Sequence, residues 1–302
     1  MKIAILGASG IGKFHARTFD KLDVEVNSIL CSSKVTGKST SQDLKDSLGL
    51  KVNYYDDLDT LLSKSIPDAV TICTPNELHY AQILKVLDKN IPIFCEKPLF
   101  WNKKDSYTAF SNKLKVISDH PNRAIFVNTS GAGYVKSIKN LLPLSEDLQS
   151  FNFNFTTQGN NKYIGIAEDL MPHGLAMLIE LLGFHDITSL KQEYSEGSYK
   201  CNFLYAGRKI SFNFKQGKLF KKEFIFYLNE DKYVRIQNSS LKNYEVSLDC
   251  ITQNKKIKID DPFEVYASRF IDFCSNRSNR QKDEFNESSH NLNLMAKILL
   301  VN

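Results

Sequence analysis

The apolar run Lys2–Leu6 (KIAIL) leads without a linker into residues 7–12 (GASGIG) and then into the helical pattern KFHARTFDKL. No other stretch constrains the fold as much. A helix that starts directly behind a buried strand aims its N-terminal amides at the strand's carboxyl end, where they can receive a pyrophosphate. Gly7 and Gly12 occupy the first and third positions of a GxGxxG pattern, with Ser9 at the second and Gly10 and Ile11 completing the turn. Taken alone, such a turn is either a cofactor loop or a plain tight turn. Its place between a strand and a helix favours the cofactor loop.

Residues 24–30 (VEVNSIL) read as the next strand, and its end is where the adenine ribose would be read. An Asp or Glu there selects NAD, whereas this chain offers Cys31, Ser32, Ser33 and Lys34. Hydroxyls plus a cation suit a 2′-phosphate, so the expected cofactor is NADP ahead of NAD, the alternative being that Lys34 is only a solvated lysine. Residues 44–48 and 57–63 then read as helices around a short strand at 51–55. The buried strand 68–73 ends in Thr74, Pro75 and Asn76, and residues 78–88 (LHYAQILKVLD) place apolar side chains at helical spacing. A further strand, 91–95, stops abruptly at Glu96, Lys97 and Pro98, two adjacent charges that are costly unless they face a cleft. Residues 123–128 complete the alternation. Strands alternating with helices imply a parallel sheet, and the turns 7–12, 32–34, 74–76 and 96–98 all fall on its carboxyl edge.

The second half reads differently. Phe151, Phe153 and Phe155 alternate with Asn152 and Asn154, and further strand-like runs occur at 187–190, 200–205, 209–214, 223–228, 233–236 and 244–248. Hairpin turns are expected at Glu196-Gly197 and Ala206-Gly207. Residues 263–274 and 291–300 read as helices. The expected architecture is therefore α/β plus α+β. A Rossmann-type doubly wound parallel sheet (1–128) binds the dinucleotide, and an open, mostly antiparallel sheet covered by helices (129–302) binds substrate and dimerises. A sheet with so many Phe and Tyr on one face is covered by helices or shared with a second copy, so a homodimer or dimer-based oligomer is expected. Within the second half, ahead of the strand-like runs from 187 onward, lies EDLMPHGLAMLIELLG, residues 168–183, in which Asp169 and His173 share one helical face. Pro172 suits a first helical turn, which puts the pair at a helix N-terminus.

Composition narrows the partners. With 302 residues, 42% hydrophobic and 24% charged, the chain supports two ordinary soluble domains. The net charge of +5 is spread among acids without a basic stripe, which argues for a small anionic ligand over nucleic acid. Six cysteines lack any CxxC pairing and no metal-ligand spacing is present, so a reducing cytoplasm and no bound metal are expected. Residues 1–6 fall short of a signal-peptide core and no apolar run reaches membrane-spanning length.

The block TPNELHYAQILKVLDKNIPIFCEKPL resembles the TPNxxH…AxxAL…GKHVLCEKPL block of the Gfo/Idh/MocA oxidoreductases, which include glucose-fructose oxidoreductase and inositol dehydrogenases. Pro75, Asn76, His79, Cys95, Glu96, Lys97, Pro98 and Leu99 match in order and spacing. The N-terminal turn also half resembles the TGxxxGxG of short-chain dehydrogenases, but it is one residue short and the YxxxK pair of that class is absent. The family further carries DxxxH before an apolar helix ending in Gly, matched here by Asp169, His173 and Gly183. Many members have Asp three residues after the His, where this chain has Ala176.

This resemblance implies hydride transfer between a nicotinamide and a hydroxyl or carbonyl carbon of a sugar, cyclitol or sugar derivative. It implies His173 as general acid/base, Asp169 orienting the substrate hydroxyls, and Lys97 donating to the reacting oxygen. Asn76 and Glu96 would shape the nicotinamide ribose pocket. His79 falls with the cofactor residues by its place in the block, although a helical position favours a structural role. A cis Lys97–Pro98 bond is also implied. The segment 128–134 (NTSGAGY) lacks the arginines that many sugar-acting members show there. Reduction of an imine or conjugated substrate, or a non-catalytic cofactor-binding regulator, are the alternatives on the same scaffold.

Overall fold

A computed structural model describes residues 1–139, 148–239, 244–275 and 283–300, which fall into two units, residues 1–128 with 263–289, and residues 129–262 with 290–302. The first unit is built on β1 (Lys2–Leu6), whose last four residues are buried. It is followed by α1 (Ile11–Lys21), β2 (Glu25–Leu30), α2 (Lys34–Leu48), β3 (Asn53–Tyr55), α3 (Leu58–Ser65), β4 (Ala69–Ile72), α4 (Asn76–Leu87), β5 (Ile93–Glu96), α5 (Tyr107–Ser118) and β6 (Ile125–Asn128). The strands lie in the order β3-β2-β1-β4-β5-β6, each adjacent pair parallel. That is the doubly wound order whose switch point lies between β1 and β4, at the turn that follows β1. Strands β4, β5 and β6 are buried at every position, as a sheet covered on both faces requires.

Two boundaries in this unit differ from the sequence reading. The second helix begins at Lys34 rather than near residue 44, because Ser33 caps it. The Ser33 hydroxyl accepts from the Thr36 amide at 3.2 Å, and Thr36 Oγ1 accepts in return from the Ser33 amide at 3.0 Å. The chain also divides otherwise than at residue 128 alone. Residues 263–289 pack back on the first unit, where Tyr266, Ala267 and Phe270 of α8 (Pro262–Ser275) join Phe19, Phe94 and Phe126 in one core. Burial of these large side chains, with Phe94 and Phe270 ring centres 5.3 Å apart, decides the placement that chain order alone hides.

The second unit holds α6 (Gly131–Lys139), β7 (Ser150–Thr157), α7 (Ile164–Leu182), β8 (Ile187–Ser195), β9 (Ser198–Tyr205), β10 (Arg208–Gln216), β11 (Glu223–Leu228), β12 (Asp231–Ser239), β13 (Tyr244–Cys250), β14 (Lys255–Ile259) and the last part of α9 (Asp283–Leu299). Its sheet runs β14-β13-β12-β11-β7-β10-β9-β8, antiparallel throughout except for β7 beside β10. Strand alternation sends Phe151, Phe153 and Phe155 to one face, level with Ile210, Phe212 and Phe214 on one side and Leu228, Phe226 and Phe224 on the other. Helix α7 covers this apolar face. Gly174 is the point of closest approach, since a Cβ there would meet Phe212 at 2.8 Å and Phe153 at 2.9 Å. Both expected hairpins are present, and Ala206 (φ 51°) and Gly207 (φ 76°) give the left-handed pair that a two-residue turn demands.

Pro172 departs from expectation. It lies well inside α7 rather than in its first turn, so Asp169 and His173 are mid-helix residues. An interior proline costs a helix roughly 3 kcal/mol. Here Ile166, Ala167, Leu170 and Met171, all buried on the N-terminal side of Pro172, compensate for it. No described helix is long and apolar enough to cross a membrane, and all six cysteines are free thiols.

Candidate active site

Each unit carries one half of the expected constellation. In the first, the turn after β1 has two glycines that nothing else could replace. Gly7 sits at φ 83°, with a virtual Cβ 2.8 Å from the Cys73 carbonyl oxygen, and a Cβ on Gly12 would lie 2.0 Å from the Gly7 carbonyl oxygen. These contacts press α1 against the ends of β1 and β4. Ser9, Gly10 and Ile11 are exposed, Gly10 is the N-cap without a side-chain hydrogen bond, and the first turn of α1 holds no acidic residue. Uncapped amides at a positive helix end, behind a turn tight enough for close approach, fit a dinucleotide pyrophosphate. Ser32 and Lys34 are exposed at the start of α2, whereas the Ser33 hydroxyl is committed to the cap.

The turn after β5 is held from beneath. Glu96 is buried, and its Oε1 accepts from His15 Nε2 at 2.5 Å and from Asn128 Nδ2 at 2.7 Å. Its Oε2 faces the Lys97 amide at 3.3 Å. Burial alone would raise this carboxyl's pKa. The His15 hydrogen bond and charge outweigh burial, the Asn128 amide and the Lys97 cation add to them, and the pKa is lowered to about 2. An ionised carboxylate only accepts, so His15 carries its proton on Nε2. Glu96 is thus held chiefly by protein partners. It ties α1, β5 and β6 together behind Lys97, which is half-buried at the surface of the turn.

His79 is likewise a clamp. It is fully buried, with Nε2 2.8 Å from the Thr74 carbonyl oxygen and Nδ1 3.2 Å from the carbonyl oxygens of Pro98 and Leu99. Burial lowers its pKa against the pull of those carbonyls, so the ring is neutral, with one N–H to donate. The shorter contact assigns that proton to Nε2, and the Cys95 thiol, 3.6 Å from Nδ1, can donate to the other nitrogen. His79 thus links the turn at Thr74, Pro75 and Asn76 to the turn at Lys97 and offers no face to a cofactor. The Lys97–Pro98 bond is cis, as the resemblance implied.

In the second unit Asp169 and His173 stand one turn apart on α7, both half-buried. Gln216, at the end of β10 and buried, donates from Nε2 to Asp169 Oδ2 at 2.7 Å, while its Oε1 accepts from the Asn161 amide at 3.2 Å. The same glutamine lines a cavity of about 440 Å³ with Gly159, Lys162, Glu196 and Phe220. The His173 ring meets Phe155 edge-on at 5.4 Å, and Gly131 at the start of α6 lets that helix approach to about one Cβ contact, 3.0 Å, from the His173 carbonyl oxygen. Among the described residues, no group of three His, Cys, Asp or Glu is placed to hold a metal ion.

Sequence reasoning missed His15, Asn128 and Gln216. A histidine on the buried stripe of α1, and polar residues closing the apolar runs of β6 and β10, were the available signals.

Three comparisons bear on this geometry. Residues 1–109 match the profile of the Gfo/Idh/MocA oxidoreductases, described as an oxidoreductase family with an NAD-binding Rossmann fold. Over 100 residues the chain is 32% identical to the D-glucoside 3-dehydrogenase of Escherichia coli, a match covering 32% of this chain and 27% of that protein. Over 105 residues it is 27% identical to the myo-inositol 2-dehydrogenase of Thermotoga maritima, covering 35% and 30%. The matches thus span under a third of the relatives' own lengths. The fold extends further. The UDP-N-acetylglucosamine 3-dehydrogenase GnnA from Acidithiobacillus ferrooxidans superimposes with a TM-score of 0.73 at 11% identity, covering 99% of this chain and 96% of that one. GenD2 from gentamicin A biosynthesis, in complex with NAD, gives 0.72 at 12% identity, covering 98% and 92%.

Because the Glu96 pKa is depressed on folding, the folded state binds fewer protons than the unfolded state between about 4.5 and about 2. Its contribution is complete above pH 4.5 and is lost as pH falls through that window, an effect on the order of 3 kcal/mol. Glu96→Gln should lower stability at pH 7 and flatten the acid limb of a stability–pH curve measured by urea unfolding. An unchanged acid limb would show that the carboxylate is not held ionised by folding.

Proposed function

We propose that this chain is a nicotinamide-dependent oxidoreductase that interconverts a hydroxyl and a ketone on a sugar, cyclitol or sugar derivative. The observation that carries the reading is Lys97, held at the carboxyl edge of an NAD-binding sheet by the buried Glu96 and its partners His15 and Asn128. The sugar and cyclitol dehydrogenases among the N-terminal relatives support the substrate class.

Oxidation of a secondary alcohol removes a hydride from carbon and a proton from oxygen, leaving a carbonyl. A nicotinamide held by this chain would supply the hydride acceptor, chemistry that no side chain offers. The residues that would hold it are Gly7, Ser9, Gly10, Ile11 and Gly12 at the pyrophosphate, Ser32 and Lys34 at the adenine ribose, and Thr74, Pro75 and Asn76 at the nicotinamide end. Lys97 donates to the reacting oxygen and stabilises its negative charge as the proton leaves. His173 takes that proton as general base and returns it in the reverse direction. Asp169, fixed by Gln216, accepts from substrate hydroxyls and orients them. Ala176 adds no polar group to this set.

Lys97→Met and His173→Ala should each lower kcat by about 100-fold or more while NAD(P)H binding, followed by nicotinamide fluorescence, persists. Full activity in both variants would reject the proton-transfer roles.

For the cofactor we favour NADP, on Ser32 and Lys34, since the cap has removed the Ser33 hydroxyl from that role. Lys34→Ala should weaken NADPH binding by about 3- to 10-fold and leave NADH binding nearly unchanged. Tighter binding of NADH than NADPH by the unaltered protein would reverse the preference.

The six free thiols accord with a cytoplasmic location. The expected second copy must now use a different surface, because α7 covers the Phe-rich face. The opposite face presents half-buried Asn152, Asn154, Ser211, Asn213, Ile225 and Tyr227. Light scattering should report a dimer, and a monomer at micromolar concentration would refute that assembly.

A further inference from the structure

The second unit holds a guanidinium for which the proposed reaction has no use. Arg235 follows Tyr233 by two residues on β12, so strand alternation turns it to the face on which Tyr233 and Phe226 are buried. Its guanidinium carbon lies 4.3 Å from the ring centre of Phe224, 5.7 Å from that of Tyr134 and 5.8 Å from that of Phe155. Phe155 is the ring against which His173 rests. Arg235, Phe224 and Phe155 therefore form a row across β12, β11 and β7, with His173 over its far end.

The polar contacts of Arg235 are few. Nη1 donates to the Tyr134 hydroxyl at 3.4 Å, and among the described residues the guanidinium makes no ion pair with a carboxylate. A half-buried guanidinium has five N–H donors in a planar fork, and aromatic faces satisfy its charge but not those donors. Three rings and a hydroxyl hold it in place, so little ordering is needed when an anion arrives. Tyr134 belongs to the segment 128–134, which has no cation of its own and instead buttresses one brought from β12.

We infer that Arg235 is the specificity-determining residue for an anionic substituent of the substrate, a carboxylate or a phosphate. The inference rests on the assignment of His173 to the reacting hydroxyl. The guanidinium lies 5.8 Å from the Phe155 ring centre and the His173 ring centre lies 5.4 Å from that same point, so the two groups are no more than about 11 Å apart. That span suits a monosaccharide whose anion lies at the far side of the ring from the carbon being oxidised. The substrate class is accordingly a sugar acid, a sugar phosphate or a nucleotide-linked sugar rather than a neutral hexose or cyclitol.

The test uses the full chain with NADP or NAD. Glucose and myo-inositol serve as neutral probes, and glucuronate, glucose 6-phosphate and UDP-glucose as anionic ones. Each is followed by turnover and by its effect on Tm and on the fluorescence of bound NAD(P)H. The unaltered protein should prefer at least one anionic probe, and which one separates carboxylate from phosphate. Arg235→Gln should reduce that anionic-to-neutral preference by about 10- to 100-fold, mainly through KM, with Arg235→Lys intermediate and NAD(P)H affinity unchanged. Equal loss for neutral and anionic probes in the correctly folded lysine variant would make Arg235 merely structural and overturn the inference. So would preference for neutral probes, or failure of every anionic probe to bind while NAD(P)H still does. Failure of NAD(P)H itself to bind would instead strike the proposed function, a result read separately by its fluorescence.

Discussion

A carboxylate taken out of water must be compensated where it sits, and in this protein that carboxylate is Glu96. Ionised inside the first unit, it needs the His15 proton, the Asn128 amide and the neighbouring Lys97 to offset its desolvation. Those partners come from the helix behind the glycine turn and from the last strand of the parallel sheet. One electrostatic requirement therefore fixes α1, β5 and β6 against one another and sets the turn from which Lys97 projects. His79 adds to the same task from α4, its Nε2–H donating to the Thr74 carbonyl while the Cys95 thiol of β5 donates to its Nδ1. Glu96 and His79 thus brace this edge of the sheet from below, leaving its upper surface to exposed Ser9, Gly10 and Ile11.

The second unit solves a different problem with apolar surface. Its strands alternate so regularly that one face is a continuous layer of aromatic rings, and α7 rests on it through Gly174. The layer is a core and also a template. It orients His173 through Phe155, and at its polar margin Gln216 orients Asp169. At its other margin Phe224, Phe155 and Tyr134 surround Arg235. The chemistry proposed for this unit is thus arranged along a single sheet face, with the rings setting positions and the polar side chains at the edges available to a ligand.

Much of this was legible in the chain. The period-two alternation of 151–155 and 209–214, the order of strands and helices through residue 96 and both hairpin turns were read correctly, since each depends on neighbours a few positions away, whereas α5 was not read at all. The residues proposed for the chemistry, Lys97, Asp169 and His173, were named from the sequence, but their supports were not. Glu96 and His15 are 81 residues apart, Asp169 and Gln216 47, and such pairings carry no local signal. Pro172 was misplaced for a related reason, because a helix-breaking propensity is overridden by burial that only the packed sheet provides. Ser33 seemed available for a cofactor until the helix it caps was seen to start ten residues early.

By itself, then, the sequence determined the alternating strands and helices, the glycine turn whose backbone only Gly7 and Gly12 permit, and the residue types of the proposed chemistry. These follow from periodicity, steric limits and side-chain pKa, all local properties of the chain. Only the tertiary structure decided that residues 263–289 return to the first unit, that Glu96 and His79 are buried among protein partners, and that Arg235 lies in an aromatic row with His173. Those outcomes depend on which distant surfaces exclude water together, and burial and the pairing of buried charge are properties of the folded whole.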